Sequence, residues 1–204
     1  MNDVTDTRLA ELLCARLCHD LASPLGAAAA GLELLEDTPD AETAGLVSAS
    51  MGTATARLKF LRAALGPAND MPHAPAALGG LIRSYLEGAA AGGVALDWDC
   101  RLPEMDGETA RLLLNLVLIA RDALPRGGRI AASCNPPGDG DSGLRIIATG
   151  EGLGLSAEAR LVLLDGAPPA GPRGAQAWFA LRLARAKGLK IRLDPGPGAI
   201  SITA

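Results

Sequence analysis

Leu9, Leu13, Leu17 and Leu21 recur every four residues, and Leu25, Leu32 and Leu35 continue the apolar trend. That spacing marks one face of an α-helix. It predicts a helix from about Asp6 to Asp37, capped by Thr5 or Asp6. Pro24 is expected to kink it, because proline lacks an N–H and crowds the preceding turn. Thr38-Pro39-Asp40 makes a turn. Leu46, Val47, Leu58, Leu61 and Leu65 then mark a second helix from about Asp40 to Leu65, stopped by Gly66-Pro67. Two long helices joined by a short turn can bury only one side of each against the other. The remaining apolar surface needs a cover. A second copy, giving a dimeric four-helix bundle, is the economical solution; packing on the rest of the same chain is the monomeric alternative.

The rest of the chain changes character after a proline-rich stretch, Gly66-Pro67-Ala68-Asn69-Asp70-Met71-Pro72-His73-Ala74-Pro75. It divides the sequence into a helical hairpin (1–66), a linker (67–75) and a second domain (76–204). His73 reads as a solvated linker residue. In the second domain, helices are expected over Leu78–Ala91, Glu104–Ala123, Ser156–Leu164 and within Gly171–Lys187. Strands are expected over Val94–Cys100, Arg129–Cys134 and Leu144–Thr149. A hairpin of Leu189–Asp194 and Ala199–Thr203 turns at Pro195-Gly196-Pro197-Gly198 and closes the chain. Strands adjoined by hairpins, with helices on one face, make an α+β sandwich.

Composition narrows the function. With 204 residues, 49% hydrophobic and a net charge of -4, the chain reads as globular and mildly acidic. That argues against a sequence-independent grip on nucleic acid, which needs clustered Lys and Arg. Aromatic residues make up only 2%, so base-stacking platforms are not expected either. No apolar run reaches the roughly 18–20 residues of a membrane span, and Met1-Asn2-Asp3-Val4-Thr5-Asp6 is unlike a signal peptide. A cytoplasmic protein with no membrane partner is expected, its four cysteines reduced. Cys14, Cys18 and His19 lie together on the first helix but lack the paired C-x2-C spacing of zinc sites. The cysteines read as small core residues.

On a helical wheel, with Leu9 at 0° and about 100° per residue, the leucine stripe spans about 0° to 120° and His19 falls near 280°. His19 is therefore expected to point away from the stripe, into solvent. Leu12, Ala15, Arg16, Ser23 and Gly26 share its face, and three of these are small enough to let another protein approach the imidazole. Arg16, one turn earlier, reads equally as a cation that steadies a phosphoryl oxygen or an acidic partner surface, or as a solvated surface charge. Asp20 is the natural neighbour to orient the ring or handle its proton. An apolar docking patch of Leu12, Ala15, Ala22, Leu25 and Gly26 is expected around the histidine.

The segment Leu17-Cys18-His19-Asp20-Leu21-Ala22-Ser23-Pro24-Leu25 resembles the H-box of two-component histidine kinases, in which the histidine carries a phosphoryl group. Leu113 to Ala120, followed by Leu124-Pro125-Arg126-Gly127-Gly128-Arg129-Ile130, resembles the kinase N-box helix and the strand after it. Ile146-Ile147-Ala148-Thr149-Gly150-Glu151-Gly152-Leu153 resembles the strand and Gly-rich turn of the next box, usually Asp-x-Gly-x-Gly. Both patches lack their nucleotide-binding residue. Ile119 stands where kinases hold magnesium with Asn, and isoleucine offers no oxygen to a hard cation. Ala148 stands where Asp hydrogen-bonds adenine, a loss of at least ~1–3 kcal/mol in a buried polar site. Gly174-Ala175-Gln176-Ala177-Trp178-Phe179 replaces the last glycine box with bulky rings.

An intact H-box beside eroded nucleotide boxes resembles the ChpT-type histidine phosphotransferases over nearly the whole length. The resemblance implies an N-terminal hairpin forming a dimeric four-helix bundle and a C-terminal degenerate GHKL (Bergerat-like) α/β sandwich. It implies a homodimer that binds no ATP. It implies transfer of a phosphoryl group from the receiver aspartate of a CckA-like hybrid kinase onto His19, and from there to CtrA-like or CpdR-like response regulators. No cofactor is then expected on this chain, and Mg2+ belongs to the partner receiver. His19 and Asp20 are the expected catalytic pair; Arg16, Ser23, Leu12, Ala15, Ala22 and Gly26 are the expected contacts to phosphoryl group or partner. An ATP-dependent sensor kinase core and a non-catalytic scaffold that binds response regulators are the alternatives.

Overall fold

The computed structural model describes residues 3–68, 71–87, 93–136 and 143–204. Two antiparallel helices lead, α1 (Asp3–Asp37) and α2 (Ala41–Leu65). They are followed by α3 (Pro75–Glu87), β1 (Val94–Cys100), α4 (Gly107–Asp122), β2 (Gly128–Asn135) and β3 (Gly143–Thr149). The chain ends with α5 (Ala157–Asp165), α6 (Pro172–Ala186), β4 (Arg192–Gly196) and β5 (Ala199–Thr203). The α+β class and the helical N-terminus follow the sequence expectation. The last residues of the helix expected to end at Ala91 (88–91), linker residues Asn69 and Asp70, and loop residues 137–142 lie outside the described residues.

The hairpin forms for the reasons its sequence suggests, with one change. Asp40 caps α2, its carboxylate accepting the Thr43 N–H at 2.8 Å. Pro24 lies inside α1, which runs unbroken to Asp37. α1 already starts at Asp3, so Thr5 and Asp6 are helical residues rather than its cap. Asp6 instead pairs with Arg182 of α6.

The five strands form one sheet in the order β1-β2-β3-β5-β4. The expectation that neighbouring strands are joined by hairpins fails at β1 and β2, which pair in parallel from Val94↔Gly128 to Cys100↔Cys134. The physical reason is α4, which lies between them in sequence and supplies the crossover that parallel strands require. The remaining pairs are antiparallel, and the hairpin expectation fails again at β3 and β5, between which α5, α6 and β4 intervene in sequence. The turn into β2 rests on Gly128, at φ 143; a Cβ there would stand 2.3 Å from the Thr149 carbonyl.

One sheet face carries Ile130, Ala132, Cys134, Leu144, Ile146, Ala148, Ile200 and Ile202, all buried. α4 packs on that face and is buried from Leu112 through Ala120 without interruption. It is enclosed because α2 and α6 cover its other sides. Phe60, Leu61 and Ala64 of α2 belong to the same apolar cluster as the sheet. Phe60 stacks on Tyr85 of α3 at 4.1 Å, and burial pushes the Tyr85 hydroxyl up to about 12. The buried Asn115 of α4 donates to the Ala64 carbonyl at 2.8 Å and the Arg111 carbonyl at 2.7 Å, and accepts from Gln176 of α6. This amide ties three helices together through otherwise apolar contacts.

The solvated-linker reading of His73 is corrected. Its backbone exchanges hydrogen bonds with Met105, at 2.7 and 3.0 Å, and its side chain is half-buried. The segment is stitched to the strand-to-helix loop ahead of α4, so its backbone is not left to water.

Candidate functional site

His19 projects from the middle of α1 with 89% of its side chain exposed, as the wheel predicts. Its Nδ1 lies 3.3 Å from Asp20 Oδ1. Among the described residues Asp20 is the hydrogen-bond partner of the ring. Asp20 is itself held in place: its backbone carbonyl accepts from Arg57 Nη1 of α2 at 2.7 Å. Its second carboxylate oxygen, Oδ2, lies 3.5 Å from Arg16 Nε.

Arg16 departs from both readings of it. The side chain is only 6% exposed and forms a two-pronged pair with Asp122, Nη1–Oδ2 at 2.6 Å and Nη2–Oδ1 at 3.0 Å. Asp122 is the last residue of α4 and also lies 3.4 Å from Arg121. Burial opposes the Arg16 charge, but Asp122 and Asp20 outweigh it and raise the guanidinium above its ordinary pKa. Arg16 is therefore neither a solvated cation nor a side chain free to swing onto a ligand.

Leu12 is likewise corrected. It is buried with Leu9 against Ala175 of α6, and Trp178 and Phe179 pack on the same cluster. A wheel drawn for an isolated helix cannot show this, because α6 covers that part of the face. Ala15, Ala22, Ser23, Leu25 and Gly26 remain exposed around His19. A Cβ added at Gly26 meets nothing within 4 Å. Cys14 and Cys18 are exposed rather than core residues, while Cys134 is buried.

The other elements that reach His19 could not be chosen from sequence. A cleft of about 520 Å³ is shared by Ala15, Arg16, His19 and Asp20 of α1 with Arg121 and Asp122 of α4, Glu158 of α5, and Pro172 and Arg173 of α6. Glu158 supports its wall by accepting the Gly174 N–H at 3.1 Å. Asp122 carries no local signal: a charged pair at a helix end is common on any surface. Only the tertiary fold brings it to Arg16, 106 positions away.

The positions aligned with nucleotide-binding residues lie in the core. Ile119 and Ala148 are both buried in the apolar cluster between α4 and the sheet. Next to Gly150 and Gly152 is a cleft of about 550 Å³, walled by Leu153, Leu164, Leu193 and Ile200, with Arg160 as its charged residue. Phe179 takes the Arg111 guanidinium over its ring at 4.8 Å.

Known proteins are similar to this chain in sequence and in fold. The family model for the histidine phosphotransferase C-terminal domain matches residues 79–198. The protein phosphotransferase ChpT of Brucella abortus (strain 2308) is 35% identical over 200 residues, covering 91% of this chain and 89% of that protein. A solved bacterial phosphotransferase superposes with a TM-score of 0.82 at 31% identity, over 96% of this chain and 95% of its own.

Proposed function

The chain belongs to the histidine phosphotransferase family, and on that premise we propose that His19 is the residue that carries the phosphoryl group. The observation that carries the reading is the pairing of a highly exposed ring with one anchored ring nitrogen. Asp20 accepts the Nδ1–H and so selects the tautomer that leaves a lone pair on Nε2. Nε2 attacks the phosphorus of a receiver aspartyl phosphate in line. The N–P bond forms as the P–O bond to the receiver carboxylate breaks, and that carboxylate leaves with the electron pair. Transfer onward to a second receiver reverses the step. Catalysis then asks this chain mainly for positioning.

Phosphorelay partners of the ChpT kind, a kinase receiver and a response regulator, fit a helix face of small exposed residues, Ala15, Ala22, Ser23 and Gly26. The magnesium ion that such transfer uses would come with the receiver. Burial of Ile119 and Ala148 supports a chain that does not draw its phosphate from ATP. A homodimer built on the hairpin is part of the same proposal. Leu32, Leu34, Leu46, Met51 and Leu58 are large apolar side chains left exposed on α1 and α2, and a second hairpin would cover them.

The test is transfer from a phosphorylated receiver domain. Wild type is expected to gain acid-labile, base-stable label, and His19→Ala to gain none. Label on His19 from ATP and magnesium alone, without any receiver, points instead to a kinase and rejects the relay. Equal signalling by His19→Ala and wild type points to a scaffold.

A further inference from the structure

We propose that Asp122 is a positioning residue for His19, which it serves by occupying Arg16 so that the Asp20 carboxylate stays on the imidazole. The kinetic consequence rests on the phosphohistidine reading above; the structural coupling does not.

Arg16 is almost fully buried, and a buried guanidinium without a carboxylate is strongly disfavoured. Two carboxylates lie within reach. Asp122 takes both prongs of the fork, at 2.6 and 3.0 Å. Asp20 stands at 3.5 Å from Nε. The two oxygens of Asp20 are divided, Oδ2 towards Arg16 and Oδ1 at 3.3 Å from His19 Nδ1.

That division depends on Arg16 being satisfied elsewhere. A guanidinium fork favours two parallel bonds to one carboxylate. Neutralising Asp122 leaves Asp20 as the nearest anion, one helical turn away on the same helix. Two-pronged pairing there turns Oδ1 away from His19. The ring, with no other hydrogen-bond partner among the described residues, is then free to rotate and to hold its proton on Nε2, the nitrogen that must attack. Through this chain of contacts, a residue at the end of α4 sets the protonation pattern of a ring on α1. No proton crosses the relay and no bond is made or broken in it. Its effect is on geometry and tautomer alone.

The experiment compares wild type with Asp122→Asn and with the double variant Asp122→Asn/Arg16→Met, using 15N-histidine-labelled full-length protein. Imidazole nitrogen shifts recorded at about pH 8, where an ordinary imidazole is neutral, report the tautomer. His19→Ala distinguishes His19 from His73. In parallel, transfer from a phosphorylated receiver is timed, and circular dichroism checks folding. Asp122→Asn is expected to shift His19 towards the Nε2–H form and to slow transfer by about tenfold or more. The double variant, lacking the competing cation, is expected to recover both readouts to within about threefold of wild type. Wild-type behaviour of folded Asp122→Asn in both readouts overturns the proposal. A slow Asp122→Asn with an unchanged tautomer, or a double variant no faster than the single, overturns it too. If Asp122→Asn does not fold, the double variant is judged alone: recovery within about threefold supports the proposal, and a larger loss overturns it. If wild type accepts no phosphoryl group, the relay reading fails and the tautomer comparison alone decides the coupling.

Discussion

Asn115 shows what a single polar side chain does inside an apolar layer. Its amide serves the Ala64 carbonyl, the Arg111 carbonyl and Gln176 at once. Replacing it with leucine keeps the branch at Cγ but is bulkier, and it strands the Ala64 carbonyl and the Gln176 amide. Asn115→Leu is therefore expected to cost roughly 1–3 kcal/mol of unfolding free energy in urea titration, with the exposed His19 ring unaffected. At this scale the sequence was informative where local chemistry decides. His19 and Asp20 are neighbours in sequence and in contact, and the exposure of the ring follows from helical spacing. It was uninformative where a distant element decides. Leu12 and Arg16 share the His19 face by periodicity, yet α6 buries one and Asp122 captures the other.

Elements announced themselves mainly through their ends. Asp40, Asp106 and Ser156 each accept a backbone N–H three residues on, and each opens a helix close to where the sequence placed one. Gly166 closes α5 in the left-handed region, at φ 64. The α4 cap also carries a pH signature. Partial burial works against the Asp106 charge, but the Lys187 ammonium and the Thr109 hydroxyl and N–H outweigh it and hold its carboxyl down at about 2. An unfolded aspartate titrates near ~3.9. The stabilisation is therefore present above ~3.9 and is lost as pH falls through about 2. Thermal melting should show wild type ahead of Asp106→Asn at about pH 5, by a margin that disappears towards pH 2. The cap is largely exposed, so the margin is a small one. Strand partners were less legible than strand positions. Alternating burial marks β1 as a strand, but its parallel match to β2 depends on α4 folding back as a crossover.

At the scale of the molecule, the proline-rich segment marks a change in composition, yet the apolar core runs across it in space. Phe60, Leu61 and Ala64 lie N-terminal to it and are fully buried in the core of the second domain. His73 within it is stitched to Met105. Composition cannot reveal this, because a linker and a short extended bridge use the same residues. The outer apolar residues of the hairpin lead to a separate expectation. Leu46 is 63% exposed and Leu58 50%. Leu46→Glu/Leu58→Glu should shift sedimentation from dimer to monomer while circular dichroism stays unchanged. A wild-type chain that already sediments as a monomer would remove the dimer from the proposal.

The shared core has a thermodynamic consequence for whatever lands on His19. The cleft there draws its walls from α1, α4, α5 and α6, and these elements are already locked to one another by the packing of α2 and α6 on α4. A landing site that hinged between two loosely tethered bodies would charge each visitor the entropy of stopping that motion. Here that ordering is complete when the chain folds, long before an encounter. Few and weak contacts then suffice for docking, and weak contacts suit a carrier that must release each partner as readily as it receives the next.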